Sequence, residues 1–331
     1  MKICVAGDGA WGTALAMNAL SNGHDTVLWG AFPDYLEEMR RTGENKKFLP
    51  GVRLPEALVF EPDMAKALAG SALVICATPT QYLRGVLQKM KGSLPAGAVL
   101  VNVAKGIELD TWLRISQIVA EELGQVTYAD LSGPSHAEEV SRKVPTAVTA
   151  ASSDIAAAEF VQQALMNERF RVYTSSDVSG LELGGALKNV FAIAAGIIDG
   201  MKLGDNPKAA MMTRAVAEMA RLGEALGGRR ATFSGLSGIG DLIVTCCSGH
   251  SRNRHVGEEL GKGRALGDIL SEMGMVVAEG VPTAKGAYTL ARRTGAATPI
   301  TDEIYAVLYE GKPVKEAMFS LMTRSARPEE D

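Results

Sequence analysis

Cysteine is scarce in this chain. Cys4, Cys76, Cys246 and Cys247 are the only four, and no two are spaced as CxxC. That excludes a disulfide framework, fits a reducing compartment, and gives no reason to expect a metal. Histidine, the commonest proton carrier in enzymes, occurs only as His24, His136, His250 and His255. No run of like charge is present, and 34 basic against 38 acidic residues leave a net charge of -4. Nucleic acid and charged membrane surfaces are therefore not expected as partners. Long apolar runs are missing too. The longest covers residues 190–198 and ends at Asp199, far short of the ~20 residues that span a bilayer, so no membrane insertion is expected. The first residues, "MKICVAG", read as a strand rather than as a leader segment, which predicts a cytoplasmic protein.

What is present is a globular composition. The 331 residues are 47% hydrophobic and 22% charged, enough for about two domains with a sizeable core. The first part alternates short β-branched runs with helical patterns. Strands are predicted at residues 2–6, 26–29, 72–77, 98–103 and 126–131, with weaker ones near Val59, Val148 and Val172. Strands separated by helices imply right-handed crossovers and a mostly parallel sheet. From about Ser179 long helical patterns take over, punctuated by turns such as "GDNP" and "GLSGIGD". The tail "TRSARPEED" is polar and reads as loose.

After the first strand comes "GDGAWGTALA". Gly7, Gly9 and Gly12 form a GxGxxG placed between a strand and a helix, the context in which that motif binds dinucleotides. Gly7 allows the tight turn, Gly9 lets backbone approach a pyrophosphate, and Gly12 lets helix and strand pack closely. Gly7, Gly9, Ala10, Trp11 and Gly12 are the candidate contacts, and NAD or NADP the candidate cofactor. These features predict an α/β fold, a doubly wound Rossmann-type N-terminal domain over residues 1–178, followed by an all-α C-terminal domain over residues 179–331. An acid after the second strand binds the ribose hydroxyls of NAD, and an arginine there accommodates NADP. Here Gly30, Ala31 and Phe32 hold that place, while Asp34, Arg40 and Arg41 lie further on. Both cofactors are expected to work.

The second domain opens with "LELGGALKNVFAIAAGII", an apolar helix carrying Lys188. Burying an unpaired ammonium costs several kcal/mol, roughly. Either the lysine snorkels to the surface, or it serves as the acid–base group that a hydride transfer requires. Its helix neighbours Gly184, Gly185, Ala192 and Ala195 are small, a face expected to leave room for a ligand. Lys105, in "VNVAKGIE", lies just past the carboxyl end of a buried strand, where open α/β sheets bind ligands. In "GLSGIGDLIVTCC", Asp241 and Thr245 fall four apart on one helical face, and an aspartate there could orient a lysine.

The segments "GDGAWGTALA", "AKGIE", "LSGPSHAEE", "LGGALKNVFAIAAGI", "GLSGIGDLIVTC", "SRNRHVGEEL" and "AEGVPTAKG" together resemble the bacterial NAD(P)-dependent glycerol-3-phosphate dehydrogenases, in order and spacing, over nearly the whole chain. The resemblance implies interconversion of dihydroxyacetone phosphate and sn-glycerol 3-phosphate, feeding phospholipid synthesis in the cytoplasm. It implies Lys188 as proton acceptor or donor, and Lys105 as a contact to substrate and cofactor. It places Gly133, Ser135, Asp241, Ser251, Arg252 and Asn253 around the substrate, with Thr245 beside Asp241. It assigns Ala137, Arg252, Val277 and Glu279 to the cofactor. It also implies a homodimer. Many relatives carry a basic residue where this chain has Ala31 and Phe32, so no strong NADP preference is implied. In "SGHSRNRHVGEEL", Ser251 reads as a helix N-cap with Arg252 and Asn253 in the first turn, a setting suited to a phosphate.

Other functions fit parts of the pattern. A hydroxyacid- or 6-phosphogluconate-type dehydrogenase shares the layout. A thiol-dependent nucleotide-sugar dehydrogenase would use Cys246 or Cys247. A non-catalytic dinucleotide sensor would need the glycine loop but not the lysine–aspartate–arginine set.

Overall fold

The computed structural model describes residues 1–274, 277–326 and 328–329. Ten strands occur among them: β1 (Lys2–Ala6), β2 (Asp25–Trp29), β3 (Glu44–Asn45), β4 (Leu49–Arg53), β5 (Val59–Phe60), β6 (Leu73–Cys76), β7 (Val99–Asn102), β8 (Thr127–Ser132), β9 (Thr146–Ala151) and β10 (Phe170–Ser175). Eight of them form one sheet in the order β10-β9-β8-β7-β6-β1-β2-β5. β6 and β7 are buried at every position and β1 nearly so, which is why they read as continuous apolar runs rather than alternating ones. The chain leaves β1 toward β2 on one side and returns to β6 on the other, so the carboxyl ends of β1 and β6 flank the point where strand order reverses.

Two features differ from the sequence expectation. The last pair of strands is reversed: β8 pairs with β9 antiparallel, whereas β9 and β10 are parallel to each other. The link between β8 and β9, residues 133–145, holds only the one-turn helix Ala137–Val140 in place of a crossover helix, and the chain turns back. The second difference is the antiparallel pair β3–β4, inserted after β2. Its Asn45 is fully buried and donates to the Asp8 carbonyl and to Thr13 Oγ1, both at 2.8 Å. The insert thereby holds the glycine loop.

After β10 the described residues contain helices and no strand. The longest helix, Val178–Gly200, is capped by Asp177, whose carboxylate accepts from Gly180 N at 2.9 Å. It is long and apolar enough to cross a membrane, but 94% of its most apolar window is buried inside the fold. The helices Asp205–Ala225, Asp241–Cys247, Arg252–Gly261 and Gly280–Thr294 pack around it. Helix Arg252–Gly261 comes especially close, because glycines face glycines. A methyl on Gly196 would lie 1.9 Å from the Arg254 carbonyl oxygen, and one on Gly257 would lie 2.0 Å from that of Ile193. The stretch "LSGIG", expected as part of a turn, is a π-helix (Leu236–Gly240) running directly into helix Asp241–Cys247.

Candidate active site

Lys188 does not snorkel. It is 6% exposed, and its Nζ donates to Asp241 Oδ1 at 2.6 Å and to Thr245 Oγ1 at 2.7 Å. Thr245 in turn donates to the Asp241 carbonyl one helical turn back, which leaves its oxygen aimed at the lysine. The other oxygen of Asp241, Oδ2, accepts from Lys105 Nζ at 2.7 Å. Lys105 also donates to the Gly133 carbonyl at 3.0 Å, and Ser135 Oγ donates to that same carbonyl at 2.9 Å. One buried carboxylate thus joins two lysines from distant parts of the chain, and the cluster keeps one net positive charge.

The electrostatics follow from this arrangement. Burial drives the Lys188 pKa down to about 8; Asp241 resists that shift and Lys105 reinforces it. Burial alone would raise Asp241, but the two lysines outweigh it and hold the carboxyl below its ordinary range. Lys188 therefore keeps its proton at neutral pH and can release it in mildly alkaline solution. His136 is half-buried beside the cluster, with its Nε2 buried and unpartnered among the described residues. Burial, and then the charge of Lys188, lower its pKa, so it stays neutral near pH 7. Its ring lies 5.7 Å from that of His250, which draws the loop before Ser251 toward the loop after β8.

The small residues around Lys188 act otherwise than expected. They admit protein rather than a ligand. A methyl on Gly184 would lie 2.8 Å from the Ser237 carbonyl oxygen, and one on Gly185 would lie 2.9 Å from Ser132 Oγ. Ala192 and Ala195 are buried in the core of the helical part. Close approach of the π-helix and of the end of β8 is what brings Asp241 and Lys105 to the lysine.

Several residues hold these groups in place. Asn102 donates to the Ala104 carbonyl at 2.9 Å and bonds the buried Asp130, while Ala104 N donates back to Asn102 Oδ1 at 3.0 Å. Asn189, next to Lys188, donates to the Lys105 carbonyl at 3.1 Å. Asn253 is buried and donates to Asn189 Oδ1 at 2.9 Å while accepting from Gly280 N at 2.9 Å. Its side chain links helix Arg252–Gly261 to helices Val178–Gly200 and Gly280–Thr294. Glu279, just before helix Gly280–Thr294, accepts from Thr80 N at 2.9 Å and ties the helical part to the end of β6. Ser251 caps helix Arg252–Gly261 by accepting from Arg254 N at 3.2 Å. Arg252 is exposed in that first turn and makes no hydrogen bond or ion pair among the described residues. The Asn253–Asn189 bond brings the start of this helix to the level of Lys188. Ala137 is buried, and Val277 half-buried. The contacts of Asn102, Asp130, Asn189 and Thr80 gave no sequence signal beyond the adjacency of Asn189 to Lys188.

The glycine loop fits a dinucleotide. Gly7 has φ 136°, which favours glycine. A methyl on Gly12 would lie 1.9 Å from the Gly7 carbonyl oxygen, whereas one on Gly9 would meet nothing within 4 Å. The loop is therefore tight inward and open outward at Gly9. Gly9 caps helix Ala10–Ser21 without a side chain, leaving first-turn N–H groups for an anion. Trp11 Nε1 is buried and unpartnered among the described residues.

A doubly wound sheet with an outward-open glycine loop, and a buried lysine–aspartate–lysine cluster beyond it, define a dinucleotide-dependent oxidoreductase. Family models described as the NAD-dependent glycerol-3-phosphate dehydrogenase N-terminus and C-terminus match residues 2–158 and 177–319. A protein named glycerol-3-phosphate dehydrogenase [NAD(P)+] from Moorella thermoacetica is 52% identical over 323 residues, covering 98% of this chain and 96% of that protein. One of the same name from Chlorobium phaeobacteroides is 48% identical over 332 residues, covering 99% of each. The crystal structure of glycerol-3-phosphate dehydrogenase from Coxiella burnetii is 36% identical, with a TM-score of 0.93 over 98% of this chain and 99% of that one. The chain belongs to the NAD(P)-dependent glycerol-3-phosphate dehydrogenase family.

Proposed function

We propose that the chain reduces dihydroxyacetone phosphate to sn-glycerol 3-phosphate, reversibly, with Lys188 as the proton donor and acceptor. The observation that carries this is the bridging of Lys188 and Lys105 by one buried carboxylate at the carboxyl end of the sheet. Residues 7–12 would hold the dinucleotide, which would supply or take up the hydride. As the ketone is reduced, negative charge grows on its oxygen. Lys188, protonated below about pH 8, neutralises that charge and gives up its proton. Asp241 and Thr245 hold the ammonium in place, and Asp241 lowers the energy of two cations sharing one pocket. Lys105 contacts substrate and cofactor together, being anchored at Gly133 on one side and Asp241 on the other.

The phosphate of the substrate falls to Arg252, whose planar fork can hold two oxygens, and to the N-terminus of the helix that Ser251 caps. Gly133, Ser135 and Asn253 border the substrate, and Ala137, Val277 and Glu279 the cofactor. The dinucleotide part spans residues 1–178 and the helical part 179–331, in a cytoplasmic homodimer whose product enters phospholipid synthesis. A thiol mechanism is not supported by Cys246, because burial pushes that thiol up to about 12 and keeps it protonated. The test is to mix the protein with NADH or NADPH and dihydroxyacetone phosphate and follow nicotinamide absorbance. Rapid loss that requires the phosphorylated ketone supports the reading; a steady signal with a folded protein overturns it.

A further inference from the structure

The end of β2 carries no acid, yet an acid stands there. Asp8, the residue between the first two glycines, turns its carboxylate onto Gly30, the first residue after β2. A methyl on Gly30 would lie 2.5 Å from Asp8 Oδ2. The carboxylate therefore takes the space that a side chain at position 30 would enter, and glycine there lets it lie in this position. Oδ2 is buried and has no hydrogen-bond partner among the described residues, while the residue as a whole stays partly exposed. Burial pushes its pKa up, offset only in part by its own backbone N–H and by the charge of Lys47. The neighbouring hydrogen bonds go elsewhere: Asn45 bonds the Asp8 carbonyl, not its carboxylate, and Tyr35 donates to Asn45 at 2.6 Å. Lys47 lies over the Tyr35 ring at 4.4 Å. Arg40 faces away, paired with Glu37 and donating to the Phe60 carbonyl.

In dinucleotide domains an acid at the end of the second strand accepts from the adenine ribose hydroxyls and disfavours a 2′-phosphate. We propose that Asp8 fills this role from the glycine loop, making it a specificity-determining residue that favours NAD(H) over NADP(H). Asp8 stays partly exposed, so its carboxylate can accept from a ribose hydroxyl while Oδ2 rests against Gly30. A 2′-phosphate at the same place meets a like charge instead. The expectation from the sequence, that both cofactors work with little discrimination, is narrowed accordingly. The proposal rests on dinucleotide binding at the glycine loop.

Binding is measured directly, by nicotinamide fluorescence with NADH and NADPH and by calorimetry with ADP-ribose and its 2′-phosphate. The wild-type protein should bind the members without a 2′-phosphate roughly 10-fold or more tighter, since like charges brought together in an interface are strongly unfavourable. Asp8→Asn, and Asp8→Ser as a second variant with a smaller side chain, should shrink that ratio toward unity, chiefly by tightening NADPH, because Lys47 remains to meet the phosphate. Thermal melting establishes that each variant is folded. Equal or tighter wild-type binding of the 2′-phosphorylated ligands overturns the proposal. So does an unchanged ratio in a folded Asp8 variant; a shifted ratio in Lys47→Ala would then assign selectivity to the lysine. Failure of the wild type to bind any of the four ligands would instead overturn the dinucleotide reading beneath it.

Discussion

Gly9 and Gly196 sit in runs of small residues that look alike in the sequence, and the structure uses them in opposite ways. A methyl on Gly9 would meet nothing within 4 Å, whereas one on Gly196 would collide with the backbone of helix Arg252–Gly261. In the loop after β1 the missing side chain leaves a surface for a ligand. On helix Val178–Gly200 it removes space, so that protein can reach Lys188 from several sides. A small residue thus signals close approach, without saying whether the approaching group is ligand or backbone. The chemistry divides the same way. The glycine loop offers N–H groups and a shape; the helical part offers charge, concentrated in Lys188, Lys105 and Asp241.

The sharpest break in this division is Lys188→Met. It should keep the fold and NADH binding and reduce kcat by about 10²–10⁴-fold, the usual worth of general acid–base catalysis. A near-normal kcat across pH would make the lysine structural. Next comes Arg252. If the bound substrate desolvates the contact between Arg252 and the phosphate, Arg252→Ala should cost about 2–5 kcal/mol in kcat/KM for dihydroxyacetone phosphate, the range for truncating one partner of a buried charge pair. Arg252→Lys should raise KM despite keeping the charge. Unphosphorylated dihydroxyacetone, a poor substrate throughout, should be much less affected. An equal loss on both substrates would remove Arg252 from the phosphate.

The glycine contrast has its own test. Alanine is favoured over glycine in a helix by about 1 kcal/mol, but Gly196→Ala places a methyl 1.9 Å from a carbonyl oxygen that cannot rotate aside. Overpacking of this kind costs about 1–3 kcal/mol or more, so Gly196→Ala should lower Tm while leaving dinucleotide affinity largely intact. Gly9→Ala should do the reverse. If both variants shift the same observable, the contrast fails. The smallest effect is the pH profile. Lys188 titrates near 8, so kcat/KM for reduction should be flat below that pH and decline above it, because the proton to be donated is lost. Oxidation should rise through the same range. Inflections that persist in Lys188→Met would belong to another group.

The sequence made the charged cluster legible because a buried charge is unfavourable unless something nearby accounts for it. Lys188 in an apolar helix and Asp241 beside Thr245 stand out for that reason. The parallel strands were legible as apolar runs, and the glycine loop by its place between strand and helix. The reversal of β9 and β10 depends on the path the link after β8 takes, which no single residue advertises. The Asn253–Asn189 and Glu279–Thr80 contacts join residues far apart in the chain, and amides and carboxylates carry no mark of their partner. Asp8 carries no mark in the sequence beyond lying between two glycines, because its closeness to Gly30 arises only when β2 ends against it.

Lys188 also matters before the protein has folded. Its partner Asp241 lies 53 residues further along, so during synthesis the helix Val178–Gly200 emerges first, with the ammonium unpaired. By length and hydropathy that helix could cross a membrane. A lysine near the centre of such a segment opposes insertion by about 2.5–3.5 kcal/mol on the scale that translocation machinery reads. Lys188 thereby biases the nascent helix toward water, until the rest of the helical part arrives to enclose it.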